Sequence, residues 1–201
     1  MTAARKIAPF VLAIAAACSR RPDVPIVTFH SVSTATDGFT VAEETFTKTL
    51  DALRGRGFHT VTFHDWLAHE DQKAALPVDP IILTFDDGYQ DAYTTVLPAL
   101  RAREMKAAFF VVTSFVGHDE AHRVVRQEEG TARRYLIWPE VRALAAAGME
   151  IGSHGLTHRR LLDLNADEAR RELKDSKEQL EAVLGRPVEI FAYPYNSVRR
   201  W

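Results

Sequence analysis

Two short, almost wholly apolar runs constrain this chain most. Ile81 to Phe85 lies between Pro80 and Gly88, and Ala107 to Thr113 follows the charged stretch Arg101 to Lys106. Neither is long enough for an ordinary helix. Neither alternates polar with apolar side chains, as a half-exposed strand would. Such runs, rich in β-branched and aromatic residues, read as strands buried on both faces, the condition of a parallel sheet covered by helices. Between them Tyr89 to Arg103 has helical character, with Pro98 placed to kink it.

The rest of the sequence follows the same alternation. Ile26–Phe29 reads as a buried strand ending at His30. Val41–Leu53 reads as a helix stopped by Gly55 and Gly57. Phe58–Phe63 reads as a strand, and Asp65–Glu70 as a short helix. Val116–Arg134 is a polar, charged insertion. Trp138–Ala147 is a helix that starts near Pro139 and ends at Gly148. Met149–Ser153 is a strand leading into His154. Asn165–Leu184 has a capping Asn165 and acidic Asp167 and Glu168 in its first turn. It carries i,i+4 pairs (Arg171–Asp175, Lys174–Glu178, Lys177–Glu181), an apolar face at Leu173, Leu180, Val183 and Leu184, and a stop at Gly185. Val188–Tyr193 is the last expected strand. Strands alternating with helices predict an α/β fold with a parallel sheet or barrel, its active site at the carboxyl ends of the strands.

The 201 residues suffice for one such domain, and the formal charge of -2 gives no reason to expect a nucleic-acid partner. Residues 1–24 differ from the remainder. Arg5 and Lys6 precede an apolar run from Ile7 to Ala17 that is short for a bilayer span and closes on Ala15-Ala16-Ala17-Cys18. This reads as an export leader. Cys18, the only cysteine, resembles a bacterial lipoprotein processing site, although Ala15 stands where a larger aliphatic residue is usual. The expectation is an exported protein, periplasmic or extracellular, either secreted or membrane-anchored through a lipidated Cys18. A cytosolic protein with an apolar first helix is the plainer alternative.

Three polar clusters fall at expected strand ends. In Thr84-Phe85-Asp86-Asp87-Gly88, two adjacent carboxylates after a buried strand are costly unless a cation offsets their repulsion. Gly88 allows the turn that lets both face one pocket. A capped turn, with Asp87 as N-cap of the next helix, accounts for the same residues. In Ser153-His154-Gly155-Leu156-Thr157-His158 the two histidines would share one face if the segment were helical. Two imidazoles with Asp87 and an open position for water make a catalytic rather than a structural coordination set. In Phe191-Ala192-Tyr193-Pro194-Tyr195, Pro194 could fix a loop that offers a backbone N–H to an oxyanion. An aromatic patch against the core is the alternative there.

These three motifs, in this order and at these intervals, resemble the polysaccharide deacetylase family, also called the NodB homology domain or carbohydrate esterase family 4. Pro25-Ile26-Val27-Thr28-Phe29-His30 resembles the first strand of its poly-N-acetylglucosamine deacetylase branch. The resemblance runs from Pro25 to Tyr195. It implies a distorted (β/α) barrel over residues 25–201 and a divalent metal, zinc above others, on Asp87, His154 and His158. It further implies Asp86 as general base, the backbone N–H of Tyr195 after Pro194 as oxyanion donor, and an N-acetylglucosamine polymer or peptidoglycan glycan as substrate.

The sequence departs from the family pattern at several places. Gly155 replaces a hydroxyl residue after the first metal histidine, Ala192 an arginine common in the third motif, and Asn196 a glycine. Further strands and a late histidine that protonates the leaving amine are expected after Tyr195 and have no counterpart here. The domain is therefore expected to lack its C-terminal part, with Val188–Tyr193 as an open edge. Loss of a general acid would cost about 10²–10⁴ in rate, so a catalytically impaired metal- or glycan-binding protein, or a gene fragment, is the alternative reading. His30 could line the pocket, and His59, His64, His69, His118 and His122 are expected on the surface or in loops. Glycan selectivity would lie in Ser31–Gly38 and Val116–Arg134.

Overall fold

The structure is a computed structural model that describes residues 24–35, 37–128 and 130–196. The expected leader, with Cys18, lies outside the described residues except for Val24. Among the described residues no helix is long and apolar enough to cross a membrane.

The framework is a parallel sheet in the order β1 (Ile26–Phe29), β5 (Pro80–Phe85), β6 (Ala108–Val111), β9 (Glu150–Ser153), with β4 (His59–Thr60) paired to the start of β5. Both apolar runs form strands buried at every residue. Their register aligns Phe29 with Phe85 and Phe85 with Phe109. The three rings stack at centroid distances of 5.3 and 5.0 Å, and Phe46 meets Phe29 and Phe85 edge-on. Phe46 comes from α1 (Glu43–Gly55), so this aromatic column fixes a helix against the sheet as well as strand against strand.

Two other pairings flank the sheet. β2 (Ser31–Val32) pairs with β3 (Thr40–Val41), and the charged insertion folds into an antiparallel hairpin of β7 (Val125–Glu128) and β8 (Thr131–Arg134).

Several elements differ from expectation. The strand expected over Phe58–Phe63 stops at Thr60, because Thr62 caps α2 (Phe63–Glu70) in a reciprocal capping box with Asp65. Tyr89–Arg103 is not one helix. A single π-helical turn, Ala92–Val96, runs into the short α3 (Leu97–Arg101), with Leu97 N–H bonded to Ala92 O. Pro98 thereby sits in a first turn, where its missing N–H costs little. The helix α4 (Trp138–Ala146) forms as expected.

α5 (Ala166–Leu184) is capped by Asn165 and ends on left-handed Gly185, also as expected. Its buried stripe, however, is Glu172, Ser176 and Leu180, while Leu173 is exposed. Lys174–Glu178 and Lys177–Glu181 pair, and Arg171 with Asp175 does not. Val188–Tyr193 is an extended segment rather than a strand. It makes one bridge, Phe191 to Ser153, supported by Ser153 N–H to Ile190 O and Ala192 N–H to Ser153 O.

Candidate metal centre

The sheet delivers the first cluster directly. Asp86 and Asp87 follow the last residue of β5, and Asp86 N–H is still held by Phe29 O. The chain then turns through two left-handed residues, Asp87 at φ 72° and Gly88 at φ 80°. Gly88 serves a second purpose, since a Cβ there would stand 3.3 Å from Val111 Cγ1 on β6. Both carboxylates line one cavity of about 720 Å³ together with His154, His158, His30 and Tyr195. Asp87 caps no helix: the next helical turn starts at Ala92, after Asp91.

His154 follows β9, on the far side of β6. Its Nδ1 hydrogen-bonds Ala192 O at 3.0 Å, so its Nε2 is the atom left to face Asp87 Oδ1, at 3.4 Å. His158 Nε2 lies 3.2 Å from the same oxygen. The two imidazoles do not converge through a helix. Residues 154–158 form an irregular loop with Gly155 at φ 88° and His158 at φ 61°.

That loop is braced by a residue that sequence reasoning did not single out. Glu172 of α5 accepts the backbone N–H groups of Leu156 and Thr157, both at 2.8 Å, and the Thr157 hydroxyl. Gly155 fits this arrangement, because a Cβ there would come within 3.1 Å of Glu172 Oε2. The missing hydroxyl at position 155 is thus offset from below by a carboxylate. The one available signal was a Glu spaced i,i+4,i+8 with Ser176 and Leu180.

The site residues from the third motif divide. Pro194 is buried behind the cavity against Gly155, while Tyr195 takes φ 58° and lays its ring 4.7 Å from that of His158. Ala192, where many members of the family carry an arginine, contributes its carbonyl to His154. His30 lines the cavity beside Phe39. His59, His64, His69, His118 and His122 all lie outside it.

The electrostatics favour a cation. Burial pushes Asp86 above the usual carboxylate range, against the pull of His154 and His30. Burial pushes Asp87 up as well, but the two imidazoles facing it outweigh that and hold it well below the usual range. His154 is raised, because Asp87 and Asp86 overcome the opposing effect of burial. Asp87 Oδ1 is nevertheless buried without a hydrogen bond. Its ligand atom and those of His154 and His158 lie within 4.8 Å of one another. A buried, orphaned carboxylate oxygen between two imidazole nitrogens is a donor set that fits a divalent ion.

The two segments expected to shape selectivity, with Phe39 just beyond the first, also line the cavity. Asp37 and Phe39 come from one side, and Arg126, Glu128 and Arg133 from the hairpin. Arg133 is buried and bonded to Ser31, Thr40 and Asp37, which ties hairpin to loop. Glu128 accepts the hydroxyls of Tyr89 and Tyr135, one on each oxygen. Burial, with Glu128 as acceptor, raises both tyrosines.

A mixed α/β domain with a mostly parallel sheet, and with carboxylates and imidazoles gathered at its strand ends, is the NodB class of fold. The sequence model of the polysaccharide deacetylase family matches residues 73–200, more than half of the chain, and the chain belongs to that family. Over 173 residues it is 26% identical to the YxkH protein of Bacillus subtilis (strain 168), covering 85% of this chain and 56% of that one. Over 105 residues it is 36% identical to the poly-beta-1,6-N-acetyl-D-glucosamine N-deacetylase of Escherichia coli (strain K12), covering 51% of this chain and 16% of that one. The chain therefore spans about half or less of the length of these relatives. The Streptococcus pyogenes deacetylase PplD, solved in complex with acetate, shares the fold at a TM-score of 0.74 and 22% identity, over 88% of this chain and 75% of that one.

Proposed function

We propose that this protein is a metal-dependent N-deacetylase of N-acetylglucosamine-containing polysaccharide. The observation that carries the reading is the convergence of Asp87, His154 and His158 beside Asp86 in one cavity. The named activity of the Escherichia coli relative supports it.

Asp87, His154 and His158 would hold the ion, with zinc favoured by two imidazoles and one carboxylate. Bound there, a divalent cation would supply Lewis acidity, lowering the pKa of a water and polarising an amide carbonyl. Asp86, raised by burial, accepts the proton of the attacking water. The Tyr195 N–H, on a loop held by Pro194, would donate to the developing oxyanion. Addition of water at the acetyl carbon and cleavage of its bond to nitrogen, which takes the proton Asp86 received from the water, give acetate and a free amine on the sugar. Ala192 O keeps Nε2 of His154 available as a ligand.

The charged and apolar pattern of residues 5–18 supports export, with attachment to a membrane through Cys18 as the anchored form.

Acetate release from N-acetylglucosamine oligomers is the test. Release should require added zinc, stop with a chelator, and fall at least about a hundredfold in Asp86→Asn. Equal release by Asp86→Asn, or release indifferent to metal, would refute the assignment.

A further inference from the structure

The Ser31 hydroxyl links a residue outside the cavity to one inside it. Ser31 is fully buried, and Arg133 Nη1 reaches its Oγ at 2.8 Å. A guanidinium only donates, so Ser31 accepts there and must give its single proton elsewhere. Asp91 Oδ2 stands at 2.5 Å and Ser33 Oγ at 3.4 Å. The nearer carboxylate takes the proton, because a bond to a charged acceptor at that length is the stronger. Asp91, on the chain after β5, thereby turns the Ser31 lone pairs toward Arg133.

The other end of Arg133 leads to the cavity. Its Nη2 donates to Asp37 and, at 2.6 Å, to the Thr40 hydroxyl. Asp37 Oδ1 in turn accepts the Thr40 hydroxyl at 2.8 Å and the Phe39 backbone N–H at 3.0 Å. Ser31 also holds Phe39 directly, its N–H donating to Phe39 O at 3.2 Å. Packing does little at this loop tip, since a Cβ on Gly38 would meet no atom within 4 Å. Hydrogen bonds that converge on Ser31 and Asp37 therefore set where Phe39 stands. Its ring lines the cavity, lies 5.4 Å from the ring of His30, and is 47% exposed. An exposed ring in an otherwise polar cavity offers an apolar face that the C–H side of a sugar ring can cover.

We propose that Asp91 is a positioning residue for glycan binding: through Ser31, Arg133 and Asp37 it fixes the Phe39 ring as a packing surface for a sugar in the cavity. This rests on the deacetylase reading and deepens it, because it separates affinity for the glycan from the chemistry at the metal.

Hydrogen exchange and kinetics on the full chain test the proposal together. In Asp91→Ala the Phe39 amide should exchange about tenfold faster, while the amides of β5 and β6 keep their wild-type rates. Asp91→Asn, which keeps an acceptor for Ser31, should restore protection. Ser31→Ala, which removes the link and leaves the acid, should reproduce Asp91→Ala. With zinc and N-acetylglucosamine oligomers, Asp91→Ala should raise KM about tenfold and hold kcat within about twofold, the pattern of lost uniform binding. Phe39→Ala should raise KM likewise, and adding Asp91→Ala to it should change KM no further. An unchanged Phe39 amide, faster exchange throughout the sheet, or equal loss in Asp91→Asn would overturn the proposal. So would a fall in kcat without a rise in KM, or additive effects of the Asp91 and Phe39 substitutions. Should the wild type release no acetate, the deacetylase reading falls, and the same comparisons made on the calorimetric Kd of the oligomers decide Asp91 and Phe39. Absence of oligomer binding would overturn the proposal as well.

Discussion

Glu172 shows how a single buried charge can govern a site it never enters. It is among the most buried charged residues described, and its carboxylate holds two N–H groups and a hydroxyl of the loop that carries His158. Removing it would strand those donors and leave the left-handed turns at Gly155 and His158 without their brace. Glu172→Ala should therefore weaken zinc binding about 10–100-fold, the usual consequence of losing support behind a ligand. It should also destabilise the fold by about 1–3 kcal/mol for the unpaired donors. A zinc titration and a melt of the metal-free protein read the two effects separately. Unchanged zinc affinity would mean that the loop keeps its shape unaided. Glu172→Gln, which keeps an acceptor for the backbone groups, should lie between.

Among the elements, the π-helical turn after β5 is where local sequence reasoning fails and a half-buried acid appears. Asp91 precedes that turn. It takes the Ser31 hydroxyl at 2.5 Å, while its other oxygen is buried and unpartnered. Burial raises it to about 6, against the opposing pull of Ser31, the Val32 N–H and Arg133. Its ordinary value is 3.8, so the fold favours the protonated acid. That contribution to stability is complete below the ordinary value and lost as pH rises through 6. Relative to Asp91→Asn, which cannot ionise, the wild type should lose on the order of 2–3 kcal/mol between pH 4 and pH 7. Thermal melts of both proteins across that range give the comparison. A constant gap between them would mean that Asp91 ionises freely in the folded state.

The same elements show what the sequence could carry. The strands β5 and β6 were legible because burial on both faces writes itself as an unbroken apolar run. The cluster Asp86-Asp87 was legible because it ends such a run, and His154 and His158 because they follow the end of another expected strand. The route by which the histidines meet was not, since left-handed φ at His158 leaves no trace in residue type. Nor were Glu172 and Glu128. A carboxylate on a helix or hairpin reads as solvated until tertiary structure supplies the N–H or hydroxyl groups that hold it. Val188–Tyr193 looked like a strand for its apolar residues, yet only Phe191 finds a bridge.

At the scale of the molecule, the metal site is a cross-link between separate parts of the chain. Asp87 leaves β5, His154 and His158 leave β9, β6 runs between these strands, and Ala192 reaches back from the last described segment to hold His154. A cation there joins groups that unfolding would scatter, and so binds the native state alone. By mass action, zinc at 100 times its dissociation constant should stabilise the fold by about 2.7 kcal/mol. For a domain of this size that is roughly 5–10 °C in Tm. The shift should grow with the logarithm of zinc concentration and reverse with a chelator. Asp87→Asn and His154→Gln should each abolish most of it, while Asp86→Asn, which removes a neighbouring charge but no ligand, should keep it. Asp86→Asn therefore separates the two carboxylates: intact thermal response with lost turnover marks Asp86 as the proton acceptor and Asp87 as the ligand. If Asp86→Asn lost the zinc response as completely as Asp87→Asn, the division of labour drawn from the geometry would be wrong, and both oxygen donors would belong to the metal.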